Sequence, residues 1–136
     1  MIVCGIGIKS SEIHLVTLEG NKNKYEHLTN STRKISLKDE KNQQEVQAFR
    51  DTVYAYFREN HIENIAIKSR MKKGEYSGGS VGFKLESIIQ LYGECPVTLI
   101  TPQSIAAAEK KYSLKNPSSI LKYQIDAFKT AFTILS

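Results

Sequence analysis

The stretch that decides the fold is Ile2-Val3-Cys4-Gly5-Ile6-Gly7-Ile8-Lys9-Ser10-Ser11-Glu12-Ile13-His14-Leu15-Val16-Thr17-Leu18-Glu19. Residues 2–8 and 12–19 are rich in Ile, Val and Leu. The polar Lys9-Ser10-Ser11 between them reads as a short turn joining two strands. Alternation along the second strand points Ile13, Leu15 and Thr17 one way and His14, Val16 and Leu18 the other. Gly20-Asn21 is a turn signal. A third strand is expected within 25–37, anchored by Ile35 and Leu37, which completes an antiparallel meander.

Beyond the meander the period changes. Asp39 suits a helix N-cap. Val46, Phe49, Val53, Tyr56 and Phe57 then recur at three- and four-residue spacing, predicting an amphipathic helix over 40–59. Residues 62–68, with Ile65-Ala66-Ile67 at their centre, suit a buried parallel strand. A loop over 69–79 leads to a helix over 80–92, with Val81, Leu85, Ile88 and Ile89 inward and Gly93 at its end. Val97–Ile100 is a short strand. Thr101-Pro102 supplies an N-cap and a first-turn proline for a helix to Lys111. Asn116-Pro117 repeats that signal before a last helix carrying Leu121, Ile125, Phe128, Phe132 and Leu135. The resulting expectation is an α/β fold over residues 1–136: a three-stranded antiparallel meander continued by parallel strands, with helices on both faces. No internal repeat or linker divides the chain.

The 136 residues suffice to bury a core without disulfides or metals. The net charge of +5 allows an anionic partner such as nucleic acid. Cys4 and Cys95 lie in apolar, strand-like contexts and read as buried, reduced thiols. His14, His27 and His61 show no metal-ligand spacing. Met1–Gly5 lacks a charged n-region and a long apolar core, so no signal peptide is expected, and no run is long enough to cross a membrane. A cytoplasmic location follows as the default.

Three stretches carry a family resemblance. Val3-Cys4-Gly5-Ile6-Gly7-Ile8-Lys9 resembles the first strand of RuvC-type resolvases, which reads Gly-Ile-Asp-Pro-Gly with the Asp as a metal ligand. Ile65-Ala66-Ile67-Lys68 resembles that family's fourth strand, which ends in a catalytic Glu. Gln124-Ile125-Asp126-Ala127-Phe128-Lys129-Thr130-Ala131 resembles its last helix, where an acid precedes Ala and a hydrophobe. The runs 67–74 and 78–86, taken with the Val-Cys-Gly start, resemble an uncharacterised bacterial domain-of-unknown-function family of short ribonuclease H-like proteins. The resemblance implies a ribonuclease H-like fold and brings no established activity.

The departures bear on chemistry. Two-metal hydrolysis requires several converging carboxylates. Aligned on these motifs, the ligand positions fall on Gly7, Lys68 and Asp126, of which only Asp126 is acidic. Glu12, near the first hairpin, and Glu75, in the loop, are the acids that could rebuild a site. Asp126 is expected either on the helix surface or, preferably, as the partner of Lys68. No catalytic residue, metal or cofactor is assigned.

The loop following Lys68 is the best candidate site. Lys68, Arg70, Lys72 and Lys73 precede Gly74, Gly78, Gly79, Ser80, Gly82 and Lys84. Backbone N–H groups in such turns, a helix start near Ser80 and the end of a strand together suit an anion, with phosphate the obvious one. Tyr76 could stack on a base. Neither a Walker loop nor a dinucleotide fingerprint is present, and the same residues also suit a solvated loop with tight turns. The leading expectation is a non-catalytic module binding nucleic acid or another phosphate-bearing ligand through residues 68–84. The alternatives are a protein-interaction or structural homodimer, and a metal-dependent phosphoesterase with relocated carboxylates.

Overall fold

The computed structural model describes residues 1–29, 32–69 and 79–136. Strands β1 (Ile2–Lys9) and β2 (Glu12–Gly20) form the opening hairpin, in register from Ile2 opposite Glu19 to Lys9 opposite Glu12. Ser10, at φ 54°, turns the chain between them. The elements that follow are β3 (Tyr25–His27), β4 (Lys34–Ser36), α1 (Gln43–Glu59), β5 (Asn64–Lys68), α2 (Gly79–Gln90), β6 (Val97–Ile100), α3 (Pro102–Lys111) and α4 (Ile125–Thr133). A single 3-10 turn, Lys122–Gln124, leads into α4. The strand order is β3-β2-β1-β5-β6, with β4 also on β2. β5 runs parallel to β1, and β6 parallel to β5. The architecture is the meander-plus-parallel arrangement that the element order implies.

Four local expectations are corrected. The third strand is two short ones: β3 pairs with the Leu18–Gly20 end of β2 and β4 with the Glu12–His14 end. Ile35 lies in β4, whereas Leu37 is buried just beyond it. The cap of α1 is Asn42, whose Oδ1 accepts from the Glu45 N–H at 3.0 Å; Asp39 instead accepts from the Lys41 N–H. The last helix begins at Ile125, not near Pro117. The Asn116-Pro117 signal yields only a turn closed by the Ile120 N–H on the Pro117 carbonyl. Leu121 then extends and stays exposed, so it leaves the buried stripe. Gln124 directs this entry: its Oε1 accepts from the Leu121 N–H and its Nε2 donates to the Leu15 carbonyl. Cys95 is half-buried rather than buried.

The sheet is covered on both faces. On one, Cys4, Ile6, Ile13, Leu15, Ile65 and Ile67 pack against Phe49, Val53 and Phe57 of α1 and Leu85 and Ile89 of α2. Thr17 lies on this side, and its hydroxyl meets the Tyr56 hydroxyl at 2.6 Å. On the other face, Val3, Val16 and Leu18 pack against Ala127, Phe128, Ala131 and Phe132 of α4. Full burial of side chains such as Phe57, Phe128 and Phe132 contributes about 1.5–3 kcal/mol each.

Helix α4 lies directly on β1. A Cβ at Gly5 would stand 2.1 Å from the Ala127 carbonyl oxygen and 2.4 Å from the Ala131 nitrogen. One turn away, a Cβ at Gly7 would meet only Asp126 Cβ at 3.6 Å and the Ala127 nitrogen at 3.7 Å, which is ordinary contact. Gly5→Ala is therefore expected to destabilise by about 1–3 kcal/mol or more, because backbone must move. Gly7→Ala is expected to stay within about 0.5 kcal/mol of the parent. Denaturant unfolding of the two variants measures this contrast, and equal effects would contradict it.

Candidate functional site

The α4 face of the sheet changes character at the end where β1 and β5 finish. Val3 and Gly5 are followed on this face by Gly7 and Lys9, and the hairpin register sets His14 opposite Gly7 and Glu12 opposite Lys9. Lys68 ends β5 one residue beyond the Ile6–Ile67 pairing. Asp126, in the first turn of α4, reaches the same place. Its Oδ2 stands 3.2 Å from Lys68 Nζ, with Gly7 alongside. The three positions singled out on resemblance are thus neighbours, and Lys68 and Asp126 form the expected ion pair. Their side chains are 33% and 60% exposed, so solvent screens the pair to about 0–1 kcal/mol.

A second pair stands beside the first. His14 Nε2 donates to Glu12 Oε2 at 2.6 Å. The Tyr123 ring lies edge-on to His14, with centroids 4.9 Å apart, and Lys34 Nζ is 5.4 Å from the same ring. The hydrogen bond from His14 holds the Glu12 carboxyl below its ordinary value, against an opposing effect of burial and with help from the charges of His14 and Lys34. An open groove of about 360 Å³ runs between the strand ends and the approach to α4. Gly7, Lys9 and His14 line one side, and Lys122, Tyr123 and Asp126 the other. Lys9, His14, Lys122 and Tyr123 were not singled out by sequence. For His14 a signal existed: a two-residue turn after Lys9 necessarily sets residue 14 across from residue 7.

These residues do not fit a pair of divalent cations. Gly7 has no side-chain donor, Lys68 is a cation, Asp126 is bonded to it, and Glu12 is engaged by His14. Among the described residues no three His, Cys, Asp or Glu side chains come together as metal ligands would. Cys4 is no nucleophile either: burial pushes its thiol up to about 12, which keeps it protonated.

The proposed anion loop is only partly in view. Arg70, Lys72, Lys73, Glu75, Tyr76 and Gly78 lie outside the described residues. Gly79 opens α2 at φ 58°, a left-handed conformation that suits glycine, and Ser80 follows it, exposed. Lys84 is not gathered with Lys68. Its ammonium donates to the Glu40 carbonyl at 2.7 Å and pairs with the Glu40 carboxylate at 3.2 Å, on the α1 face of the sheet. Lys68 faces α4 on the other side. A helix packed on one face and a strand residue turned to the opposite face cannot serve one small anion, so the described part of the loop splits in two.

Residues 1–134 match the family described as "Protein of unknown function (DUF3010)". The chain belongs to that family. No curated protein matches the sequence. Among solved structures, this member of the family is similar to Thermus thermophilus RuvC in complex with Holliday junction substrate. The match has 17% identity and a TM-score of 0.70 over 98% of this chain and 91% of that one. A second structure of Thermus thermophilus RuvC matches at 16% identity and a TM-score of 0.69, over 98% and 92%. The Fowlpox virus resolvase in complex with Holliday junction DNA matches at 13% identity and a TM-score of 0.57, over 98% and 93%. At these identities the likeness concerns the fold, which is ribonuclease H-like. No helix among the described residues is long and apolar enough to cross a membrane.

The Glu12–His14 pair makes a pH-dependent prediction. Because the folded carboxyl titrates below its unfolded value, its contribution is present above the ordinary carboxylate range and is lost as pH falls through the lowered value. In His14→Phe the Glu12 titration, followed through the carboxyl carbon by NMR, is expected to move up. Acidification should then cost that variant less stability than it costs the parent. An unmoved Glu12 titration would show that the bond is not formed in solution.

Proposed function

We propose that this chain is a non-catalytic ribonuclease H-like module. It binds nucleic acid, or another phosphate-bearing ligand, at the sheet end that carries Gly7, Lys68 and Asp126. The basic segment 68–73 continues from that point in the chain. The observation that carries this reading is the Lys68–Asp126 ion pair. An ammonium stands beside the remaining acid where the resolvase pattern would gather carboxylates around metal ions. Charge balance at this place therefore needs no divalent cation. Support for the ligand class comes from three sources. Lys9, Lys68 and Lys122 surround Gly7. Arg70, Lys72 and Lys73 follow directly in the chain. Two proteins of like fold were solved with Holliday junction DNA or substrate.

Phosphate contacts release counterions, so binding should weaken steeply with salt, by about 0.7–0.9 log units per contact for each tenfold rise. Titration of labelled single-stranded, duplex and branched oligonucleotides against salt is the test. The expected result is salt-dependent binding with no cleavage in magnesium or manganese. Absent or salt-independent binding would defeat the binding assignment. Cleavage that disappears in Asp126→Ala would instead establish a phosphoesterase with relocated ligands.

A second reading, a homodimeric interaction module, draws on two exposed leucines, one just past α2 and one on the edge strand β6. Leu91 is 77% exposed and Leu99, on β6, is 39% exposed. A mass that rises with concentration, and falls back in Leu91→Glu, would favour it.

A further inference from the structure

We infer that the groove over Gly7 receives one nucleotide of a single-stranded nucleic acid, its phosphate between Lys9 and Lys122 and its base against Tyr123. This rests on the nucleic-acid reading above and specifies which form of nucleic acid the site prefers.

Space comes first. Gly5 is bare because α4 leaves no room for a side chain, whereas at Gly7 a methyl group would make only ordinary contacts at 3.6 Å. Packing does not demand glycine there, and its bareness keeps the groove open. The volume of about 360 Å³ lies toward the small end of ligand sites, roughly 300–1,000 Å³, and suits a single nucleotide rather than a larger group.

Charge comes second. The two acids bordering the groove are already engaged, Asp126 by Lys68 and Glu12 by His14. Lys9 and Lys122, on opposite walls, have no carboxylate within ion-pair distance among the described residues. An anion entering between them meets two ammonium groups that, among the described residues, are not held in ion pairs.

The aromatic wall decides the form of the ligand. Tyr123 is 37% exposed, and its ring is fixed by a T-shaped contact with His14 and by the Lys34 ammonium over it. A fixed ring beside paired cations is the arrangement that takes a base and its phosphate together, and every base can use it. In a duplex the bases are stacked on each other and paired, so such a ring gains nothing beyond backbone contact. The site therefore discriminates in favour of unpaired strands.

Fluorescence anisotropy with the full chain tests this, using a short mixed-sequence DNA strand and the same strand annealed to its complement. At one low salt concentration, the single strand should bind about tenfold more tightly. Tyr123→Leu should remove that preference while leaving duplex binding unchanged, and Tyr123→Phe should retain it. Lys122→Glu, a change at an exposed position that leaves the core intact, should weaken the single strand about tenfold. Equal binding of the two forms, with Tyr123→Leu and Lys122→Glu without effect, overturns the groove assignment and leaves nucleic-acid binding standing. Failure of both forms to bind overturns both readings.

Discussion

At Gly5 the backbone of α4 lies so near β1 that a single methyl group would overlap the Ala127 carbonyl oxygen. Small residues on both partners, Gly5 on the strand and Ala127 and Ala131 on the helix, permit this approach. Its consequences run through the molecule. It sets the depth of the second core, where Phe128 and Phe132 fill the space around the contact and Tyr25 closes over both. It also sets the register of α4 along β1, and so brings Asp126 to Gly7 and within reach of Lys68. The 3-10 turn and the buried Gln124 serve the same end. They start α4 late and aim it across the strand rather than away from it.

With the helix seated so closely, two ion pairs form at the polar end of the sheet. Lys68 meets Asp126, and His14 meets Glu12, within a few ångströms of a glycine that contributes no side chain. A carboxylate cluster in this place would need cations to be stable; a lysine supplies one covalently. The fold is shared with the resolvases, and in the function proposed above Gly7 and Lys68 stand in place of two of the donors that two-metal hydrolysis requires. On that proposal, the groove with Lys9 and Lys122 among its lining holds a phosphate rather than cleaving it.

The element order and the buried faces of the helices were legible because they depend on periodicity. Alternation in β1 and β2, and the three-four spacing of Phe49, Val53, Tyr56 and Phe57, are imprinted by the need to bury one side of each element. The turn signals were less decisive. Asn116-Pro117 has the pattern that Thr101-Pro102 uses successfully, yet it closes only a turn. The difference is tertiary: Thr101 leads into a helix free to follow directly, whereas Gln124 fastens its segment to the Leu15 carbonyl and the helix starts about two turns later. Lys84 was misplaced for a related reason. Nearness in sequence to Lys68 suggested a common site, but the parallel connection carries α2 to the opposite face of the sheet, where Glu40 takes its charge.

By itself, then, the sequence determined the hairpin and the order of strands and helices. These are local or periodic properties, carried by neighbouring side chains. The tertiary structure alone decided which charges meet, that Gly7 is bare without being crowded while Gly5 is bare of necessity, and that Tyr123 and Lys122 face Lys9 across the groove. Those facts depend on how closely α4 settles on β1. That distance is set by many small contacts summed over the whole interface, and no single stretch of the chain records it.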